Sequence, residues 1–275
     1  MTTRLGLGVG WRPELAELIA EHDGLGFVEV IAENTQLDGP VADALDHLRV
    51  RGVQVVPHGV RLSLGGADRP DPGRLARLAR LAERFDSPLV SEHIAFARAG
   101  PIEAGHVMPV PHTRETLEIL VENVGEAAAA LRVPLALEHV ASLVRWPEDE
   151  LDQGAFVAEL LERTGTALLL DLANLYADAT NHGVDAQAAL AEFPLRRLAY
   201  VHVAGGELAG GLYHDTHAAP VPPAVLELVG GLRRLIEPPG VMLERDDAFP
   251  SADEWRSELN AIGGAMGRAA APPPG

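Results

Sequence analysis

Asp215-Thr216-His217 sets a carboxylate and an imidazole two residues apart. In an extended segment, residues i and i+2 face the same way, so both side chains would address one point. The tripeptide follows Val201-His202-Val203-Ala204-Gly205 within one stretch of chain. Other ligand-type residues close short apolar runs: Glu33 after Phe27–Ile31, His58 after Val53–Pro57, His93 after Leu89–Ser91, and Glu138 after Pro134–Leu137. Asp171 follows Ala167–Leu170, His202 follows Leu198–Val201, and Glu244 follows Val241–Leu243; only the first run, Leu5–Gly10, lacks such a terminus. One polar strand end carries no information, but seven at equivalent positions point to one site assembled from many strands. Imidazole and carboxylate without thiolate suit iron, manganese or zinc. One ion normally takes three or four protein ligands and keeps an open position. His58, His93, Glu138, Asp171, His202, Asp215, His217 and Glu244 are too many for one ion and fit two or three that share bridging carboxylates.

Each of these residues also has a plainer reading. A surface Asp-x-His is commonly just solvated. Asp171 at the head of Leu172-Ala173-Asn174 could be a helix N-cap, with Asn174 one turn on as a ligand or an orienting group. Glu244 could pair with an arginine. His58 and His93 could be satisfied core histidines. Glu138 is harder to explain away, because a carboxylate after so apolar a stretch must be paired or metal-bound. Glu92 and His93 face opposite sides of a continuing strand, so only one of them is expected to be a ligand. His22, His47, His106, His112 and His182 fall in helices or loops and are left outside the site; His214, beside Asp215, stays open.

The elements that must position these side chains alternate along the chain. Amphipathic helical segments are expected at Pro13–His22, Pro72–Phe85, Thr113–Leu131, Gln153–Thr164, Val184–Ala191, Pro222–Leu235 and Ser251–Ile262. Pro72–Phe85 carries Leu75, Leu78 and Leu81 at helical spacing, and Thr113–Leu131 puts Leu117, Leu120, Val121 and Val124 on one face. Strand then helix, eight times over, implies a parallel sheet closed into a single (β/α)8 TIM barrel of the α/β class. An open doubly wound sheet would gather ligands at one switch point instead. One domain is expected over residues 1–262, followed by a disordered Ala/Pro/Gly-rich tail over 263–275. Long loops are expected at Ala97–Pro111, Leu175–Gly183 and Ala204–Pro220, over the catalytic mouth.

Composition narrows the class. A chain of 275 residues is normal for one α/β barrel. It has no cysteine, which excludes disulfides and a cysteine nucleophile within the chain. All 22 basic residues are arginine, and the net charge of −18 argues against an extended nucleic-acid surface. No apolar stretch is long enough to span a membrane, and Met1-Thr2-Thr3-Arg4 runs directly into a strand with no signal peptide. The expected location is the cytoplasm, with neither membrane nor nucleic acid as a partner.

The same residues carry a family resemblance from about Leu5 to Ser257. The matching pieces are Gly6-Leu7-Gly8-Val9-Gly10-Trp11-Arg12-Pro13, Glu29-Val30-Ile31-Ala32-Glu33-Asn34, His58-Gly59-Val60-Arg61-Leu62-Ser63-Leu64-Gly65 and Ser91-Glu92-His93. They continue with Leu137-Glu138, Leu170-Asp171-Leu172-Ala173-Asn174, Asn181-His182-Gly183, His202-Val203-Ala204-Gly205, Asp215-Thr216-His217 and Glu244-Arg245-Asp246. Each is weak alone, but in this order and spacing they are specific. The chain resembles the multinuclear non-heme iron-dependent oxidative enzymes, the group that includes the methanobactin-biosynthesis oxidase. The resemblance implies a xylose-isomerase-like barrel holding two or three irons in a mixed-valent Fe(II)/Fe(III) state. The ligands it implies are His58, His93, Glu138, Asp171, Asn174, His202, Asp215, His217 and Glu244, with Glu138 as the bridge. Supporting or substrate-lining roles fall to Glu33, Asn34, Ser63, Glu92, His139 and Asp246. It implies O2 as co-substrate and a ribosomally made precursor peptide as substrate, modified at cysteine by hydrogen removal from the β-carbon. Two departures stand out: Glu138-His139 replaces the family's Glu-Asn, and Ser91-Glu92-His93 replaces Ser-Asp-His.

Family members often work with a protein that recognises the peptide leader. This chain has no spare segment for such a domain, so a separate recognition protein is expected. Three other functions compete. A divalent-metal sugar isomerase or epimerase would use fewer ligands and commonly a lysine, which this chain lacks. The acidity counts against a trinuclear-zinc nuclease on a related barrel. A non-catalytic peptide-binding barrel would not need metals with open positions.

Overall fold

A computed structural model describes residues 3–267. Eight parallel strands close into a barrel: β1 (Gly6–Gly10), β2 (Phe27–Ile31), β3 (Gln54–Gly59), β4 (Val90–His93), β7 (Leu135–Glu138), β8 (Ala167–Asp171), β9 (Leu198–Val203) and β12 (Gly240–Leu243). They pair in that order, and β12 closes on β1 with Leu7 opposite Val241 and Val9 opposite Leu243. Around them run α1 (Ala16–Glu21), α2 (Pro40–Val50), α3 (Pro72–Arg84), α4 (Arg114–Ala130), α5 (Gln153–Thr164), α6 (Leu172–His182), α7 (Ala186–Glu192), α8 (Pro223–Leu235) and α9 (Ala252–Ala265).

The helices start where local chemistry favours it. The Asp71 side chain accepts from Arg74 N at the head of α3, where Pro72 occupies the first turn. Thr113 does the same for α4 from Thr116 N. Ser251 and Glu254 form a capping box on α9. The α3 leucines 75, 78 and 81 are all buried against the barrel.

Several expected boundaries move. The segment Leu175–Gly183 is not a loop: Leu172–His182 is one helix, closed by Gly183 in the left-handed conformation. Asp171 caps this helix directly at the end of β8, so no connecting loop intervenes. The loops expected at Ala97–Pro111 and Ala204–Pro220 contain antiparallel hairpins, β5 (Ala95–Ala99) with β6 (Ile102–Pro109), and β10 (Gly205–Ala209) with β11 (Leu212–Ala219). The tail expected from Gly263 begins inside α9, which continues to Ala265 because Ile262 and Met266 pack into the core. Residues 268–275 of that expected tail lie outside the described residues.

Two hydrophobic layers position the site. The larger lies between strands and helices. The smaller fills the barrel interior with Leu5, Phe27, Val56, Leu89, Ala136, Leu169, Tyr200 and Met242 among its members. Strand β1 adds little bulk here, because its inward positions are glycines. A Cβ at Gly8 would lie 2.3 Å from the Phe27 ring, and one at Gly10 would lie 3.2 Å from the Arg12 guanidinium. The substitution Gly8→Ala should therefore cost about 1–3 kcal/mol or more through overpacking, read as a lowered denaturation midpoint. Wild-type stability in that variant would show that the Phe27 ring has room to move.

On the outer side of the barrel, Asp178 of α6 accepts from Ser142 N at 2.7 Å and from Gln153 Nε2 at 3.1 Å, tying down the segment after β7. Burial pushes its carboxyl up to about 6, against the pull of those two donors. A raised carboxyl pKa means the folded state holds the proton more tightly than the unfolded chain does. That contribution is whole below about pH 4 and is lost as pH rises through about 6. Wild-type stability relative to Asp178→Asn should fall over this window by at most about 3 kcal/mol, at 1.36 kcal/mol per unit. A pH-independent difference in melting temperature would contradict the shift.

Candidate metal centre

The inward face of a strand repeats every second residue. Two positions beyond seven residues of the interior layer comes a polar one: Glu29 after Phe27, His58 after Val56, Ser91 after Leu89, and Glu138 after Ala136. Asp171 follows Leu169, His202 follows Tyr200 and Glu244 follows Met242 in the same way, while β4 takes one further step to His93. Among the described residues, four groups bring ligand atoms within 4.8 Å of one another. They are His58, His93 and Glu138; Glu138, Asp171 and His202; Glu29, His202 and Glu244; and Asp171, His217 and Glu244. The groups share members, so they form one continuous centre.

Glu138 joins the halves. Its Oε2 lies 3.5 Å from His58 Nε2 and 3.4 Å from His93 Nε2, whereas its Oε1 lies 3.5 Å from His202 Nδ1. His202 Nδ1 is also 3.1 Å from Glu244 Oε2 and 3.9 Å from Asp171 Oδ2. Ligand atoms about 2.1 Å from a shared ion stand roughly 3.0–3.4 Å apart at ordinary coordination angles, close to these spacings. The orphaned atoms point the same way. Glu138 Oε2, Asp171 Oδ2, His202 Nδ1, His93 Nδ1 and Asp215 Oδ1 are buried with no hydrogen-bond partner. Buried polar atoms are rarely left so, and a cation among them would satisfy several at once. The residues fit a multinuclear metal site.

Each ligand is oriented by its unshared side. Asp171 Oδ1 accepts from Ala173 N at 2.6 Å and Asn174 N at 3.0 Å, leaving Oδ2 to the centre. Asp171 is thus both helix cap and candidate ligand. His58 Nδ1 meets Ser91 Oγ at 2.8 Å, which turns Nε2 toward Glu138. Ser91 Oγ meets Tyr200 OH at 2.6 Å, Tyr200 OH donates to Glu29 Oε2 at 2.5 Å, and the same oxygen lies 2.9 Å from His202 Nε2. A buried chain of hydrogen bonds therefore connects His58 to His202 beneath the centre. Partners of this kind fix which ring nitrogen faces a metal.

Arg12, just beyond β1, pairs with Asp246 and reaches Glu244 Oε1 at 3.4 Å. His217 Nε2 meets Asp215 Oδ2 at 2.8 Å, and its Nδ1 lies 3.1 Å from Asp246 Oδ2 and 3.5 Å from Glu244 Oε2. Burial opposes charge on His93, but Glu138 and Glu92 outweigh it and lift the imidazole to about 9. His202 and His217 are likewise raised, by Glu29 and by Glu244 respectively, against their burial. Burial, then Asp215 and Glu138, push the Asp171 carboxyl well up. The centre is short of positive charge.

The structure corrects part of the expected set. At the second strand, Glu29 sits in the centre and Glu33 does not: Glu33 accepts from Val60 N at 3.1 Å. The signal was present in Phe27-Val28-Glu29-Val30-Ile31, where a carboxylate interrupts an apolar run in phase with the inward face. Tyr200, Ser91 and Arg12 were also missed; only partners from distant strands give them a role. Asn174 accepts from Ala141 N through its amide oxygen and donates to His139 O through its amide nitrogen. Asp215 is outside the four groups and reaches the centre through His217. Glu92 accepts from Leu62 N at 2.9 Å, on the face away from Glu138, which leaves His93 as the candidate ligand of that pair. Ser63 Oγ accepts from Ala97 N at 2.9 Å and so ties the β3 loop to β5. Asn34 is exposed one residue beyond Glu33. Asp246 bridges Arg12 and His217. His139 is buried against Phe193, with ring centroids 4.7 Å apart, on the side opposite Glu138.

With this geometry in hand, residues 6–266 match the family model of the RiPP precursor modification enzymes MbnB/TglH/ChrH. The chain belongs to this family. A Streptomyces avermitilis protein named only as UPF0276 is 52% identical over 265 residues, which are 94% of this chain and 54% of that relative. The chain thus spans about half the length of that protein. A Caulobacter vibrioides UPF0276 protein is 37% identical, the match covering 93% of this chain and 92% of the relative. Among solved structures, endonuclease IV from Thermus thermophilus aligns with a TM-score of 0.63 at 18% identity, covering 96% of this chain and all of the other. D-psicose 3-epimerase from Clostridium cellulolyticum aligns at 0.59 and 13% identity, covering 95% and 97%. At such identities these likenesses show a shared xylose-isomerase-like barrel and no more. Among the described residues, no helix is long and apolar enough to cross a membrane.

The buried hydrogen-bond chain carries a prediction. Tyr200→Phe and Glu29→Gln should retain the fold but lower affinity for divalent metal by about 10–100-fold, measured by competition with a chromophoric chelator. Unchanged affinity in both would mean that the chain does not orient the ligands.

Proposed function

We propose that this protein is a multinuclear iron, O2-dependent oxidase that modifies a ribosomally synthesised precursor peptide, with cysteine as the target side chain. The observation that carries the reading is Glu138, whose two oxygens face different imidazoles and so suit a carboxylate bridging two ions. His58 and His93 would hold one ion with Glu138. His202, Asp171, Glu244 and His217 would hold a second, and Asp215 stands close enough to join a third. The iron would bind O2 and substrate side by side and supply the redox chemistry, a template role.

The chain's own residues do the rest. Burial of Glu138, Asp171 and His202 excludes water from the inner side of the centre. Glu29, Ser91 and Tyr200 hold the two imidazoles in fixed orientation. Arg12 anchors Asp246 and Glu244 at the β1 side. The hairpins β5–β6 and β10–β11 follow β4 and β9 over the mouth, where a peptide would enter.

An isomerase or a zinc nuclease on the same barrel is less well supported. The chain has no lysine, and its charge of −18 opposes a phosphate backbone. A protein that recognises the peptide leader belongs to the proposal. The Streptomyces relative carries roughly as much sequence again beyond the match, room for such a domain in one chain.

The test is metal content with Mössbauer and EPR spectroscopy on protein expressed with iron and purified without chelators. Two or three irons per chain, including an antiferromagnetically coupled pair, are expected. Stoichiometric zinc or manganese, with iron refused after anaerobic reconstitution, would overturn the iron reading. Glu138→Gln should abolish the coupled signal; a variant that kept it would remove Glu138 as the bridge.

A further inference from the structure

Between Glu138, which ends β7, and Gln153, which starts α5, residues 139–152 run along the mouth with neither helix nor strand. The start of this strap is held by one face of α6. Asn174, Asp178 and His182 stand four apart in that helix, so their side chains line up one above the other. Asn174 Nδ2 donates to His139 O at 3.2 Å, and its Oδ1 accepts from Ala141 N at 3.1 Å. Asp178 Oδ1 accepts from Ser142 N at 2.7 Å, and His182 Nε2 donates to Ser142 O at 2.8 Å. Gln153 Nε2 donates to Asp178 Oδ2 at 3.1 Å and steadies that carboxylate from α5. The far end is tied to the segment before α4: His112 O accepts from Glu150 N and Leu151 N, and His112 N donates to Asp149 Oδ1.

The middle of the strap is held differently. Among the described residues, the hydrogen bonds of 143–148 stay within the strap, from Ser142 Oγ to Val144 O and from Asp149 N to Trp146 O. Leu143 and Val144 are 45% and 57% exposed. An open cavity of about 600 Å³ lies between this stretch and helices α5, α6 and α7. Little packing fixes it in place, which is the condition for local opening. A segment gripped at its ends and free between them opens when one grip lets go. The α6 end is the one able to release. Ala141 and Ser142 are held there by side chains, which swing away by changing rotamer, whereas the other end is held by main-chain bonds to His112.

We propose that residues 139–152 are a hinged strap at the mouth of the barrel, latched by Asp178 and His182 of α6, and that release of the latch controls access to the metal centre. The inference rests on the reading of that site as a metal centre, and it adds how entry is governed. The position suits the task. The strap leaves the barrel at Glu138, whose two oxygens face different imidazoles, and α6 begins under the cap of Asp171. The helix that holds the latch is therefore fixed at its other end by a candidate ligand.

Amide hydrogen exchange on the full chain without metal tests the latch. Asp178→Ala and His182→Ala should each speed exchange at Ser142 about tenfold or more, while the amides of β3 and β8 keep their rates. Asp178→Asn keeps an acceptor oxygen and should restore most of the protection. Should Asp178→Ala fail to fold, His182→Ala carries the same readout. Stopped-flow loading with Mn2+ and stripping with EDTA then test the gate. Both variants should speed uptake and loss of the ion together, about tenfold, at an unchanged dissociation constant, because a gate that does not distinguish the free from the loaded protein shifts no equilibrium. Unchanged exchange at Ser142 in both variants would overturn the latch. Unchanged Mn2+ rates, or a change in affinity that accounts for them, would overturn the gate. If the protein takes up no divalent ion at all, the metal reading falls and the gate with it, while exchange at Ser142 still decides the latch.

Discussion

Glu29, Glu138, Asp171 and Glu244 are buried together at the mouth of the barrel, and their need for positive charge governs the architecture around them. Carboxylates out of water cannot stay ionised without counter-charge. Part of it is built in: Arg12 reaches Glu244, and the imidazoles of His93, His202 and His217 are drawn toward protonation by the carboxylates beside them. The protein alone does not complete the balance. The Asp171 carboxyl is driven upward by burial, Asp215 and Glu138, and several ligand-type atoms have no partner. Metal ions and protons compete for the same atoms at such a site.

The barrel meets this need through its two-residue repeat. An apolar layer of Phe27, Val56, Leu89, Ala136, Leu169, Tyr200 and Met242 closes the interior below, so the next inward position on each strand faces both a dry floor and an open mouth. That single step sets the height of the whole polar layer. Strand β1 takes no part in ligation because glycine is required where Phe27 and Arg12 fill its inward side. Tyr200 links the layers: its ring lies in the apolar plug and its hydroxyl in the chain from Ser91 to Glu29.

The same barrel serves epimerases and endonuclease IV, so the fold alone does not select the chemistry. In this chain the four candidate groups overlap through Glu138, Asp171, His202 and Glu244. Glu138 and His139 are adjacent residues that face opposite sides of one strand end.

The sequence by itself determined the fold class, the helices whose apolar faces repeat at helical spacing, and most of the candidate ligands that the barrel brings together at its mouth. These are local properties: His58, Glu138, Asp171, His202 and Glu244 each end an apolar run, and a strand end of a parallel barrel faces the mouth whatever its partners. Tertiary structure decided what depends on phase and on distant neighbours. Glu29, inside an apolar run, joins the candidate groups because the pleat, and not the end of the run, determines which side chain points inward. Asn174 is drawn to Ala141 and His139, and Asp171 proves to be cap and candidate ligand together, because its two oxygens face different partners. The relay through Ser91, Tyr200 and Glu29 and the cavity at His139 join residues far apart in the chain. No spacing encodes such contacts, since they exist only once the strands have closed.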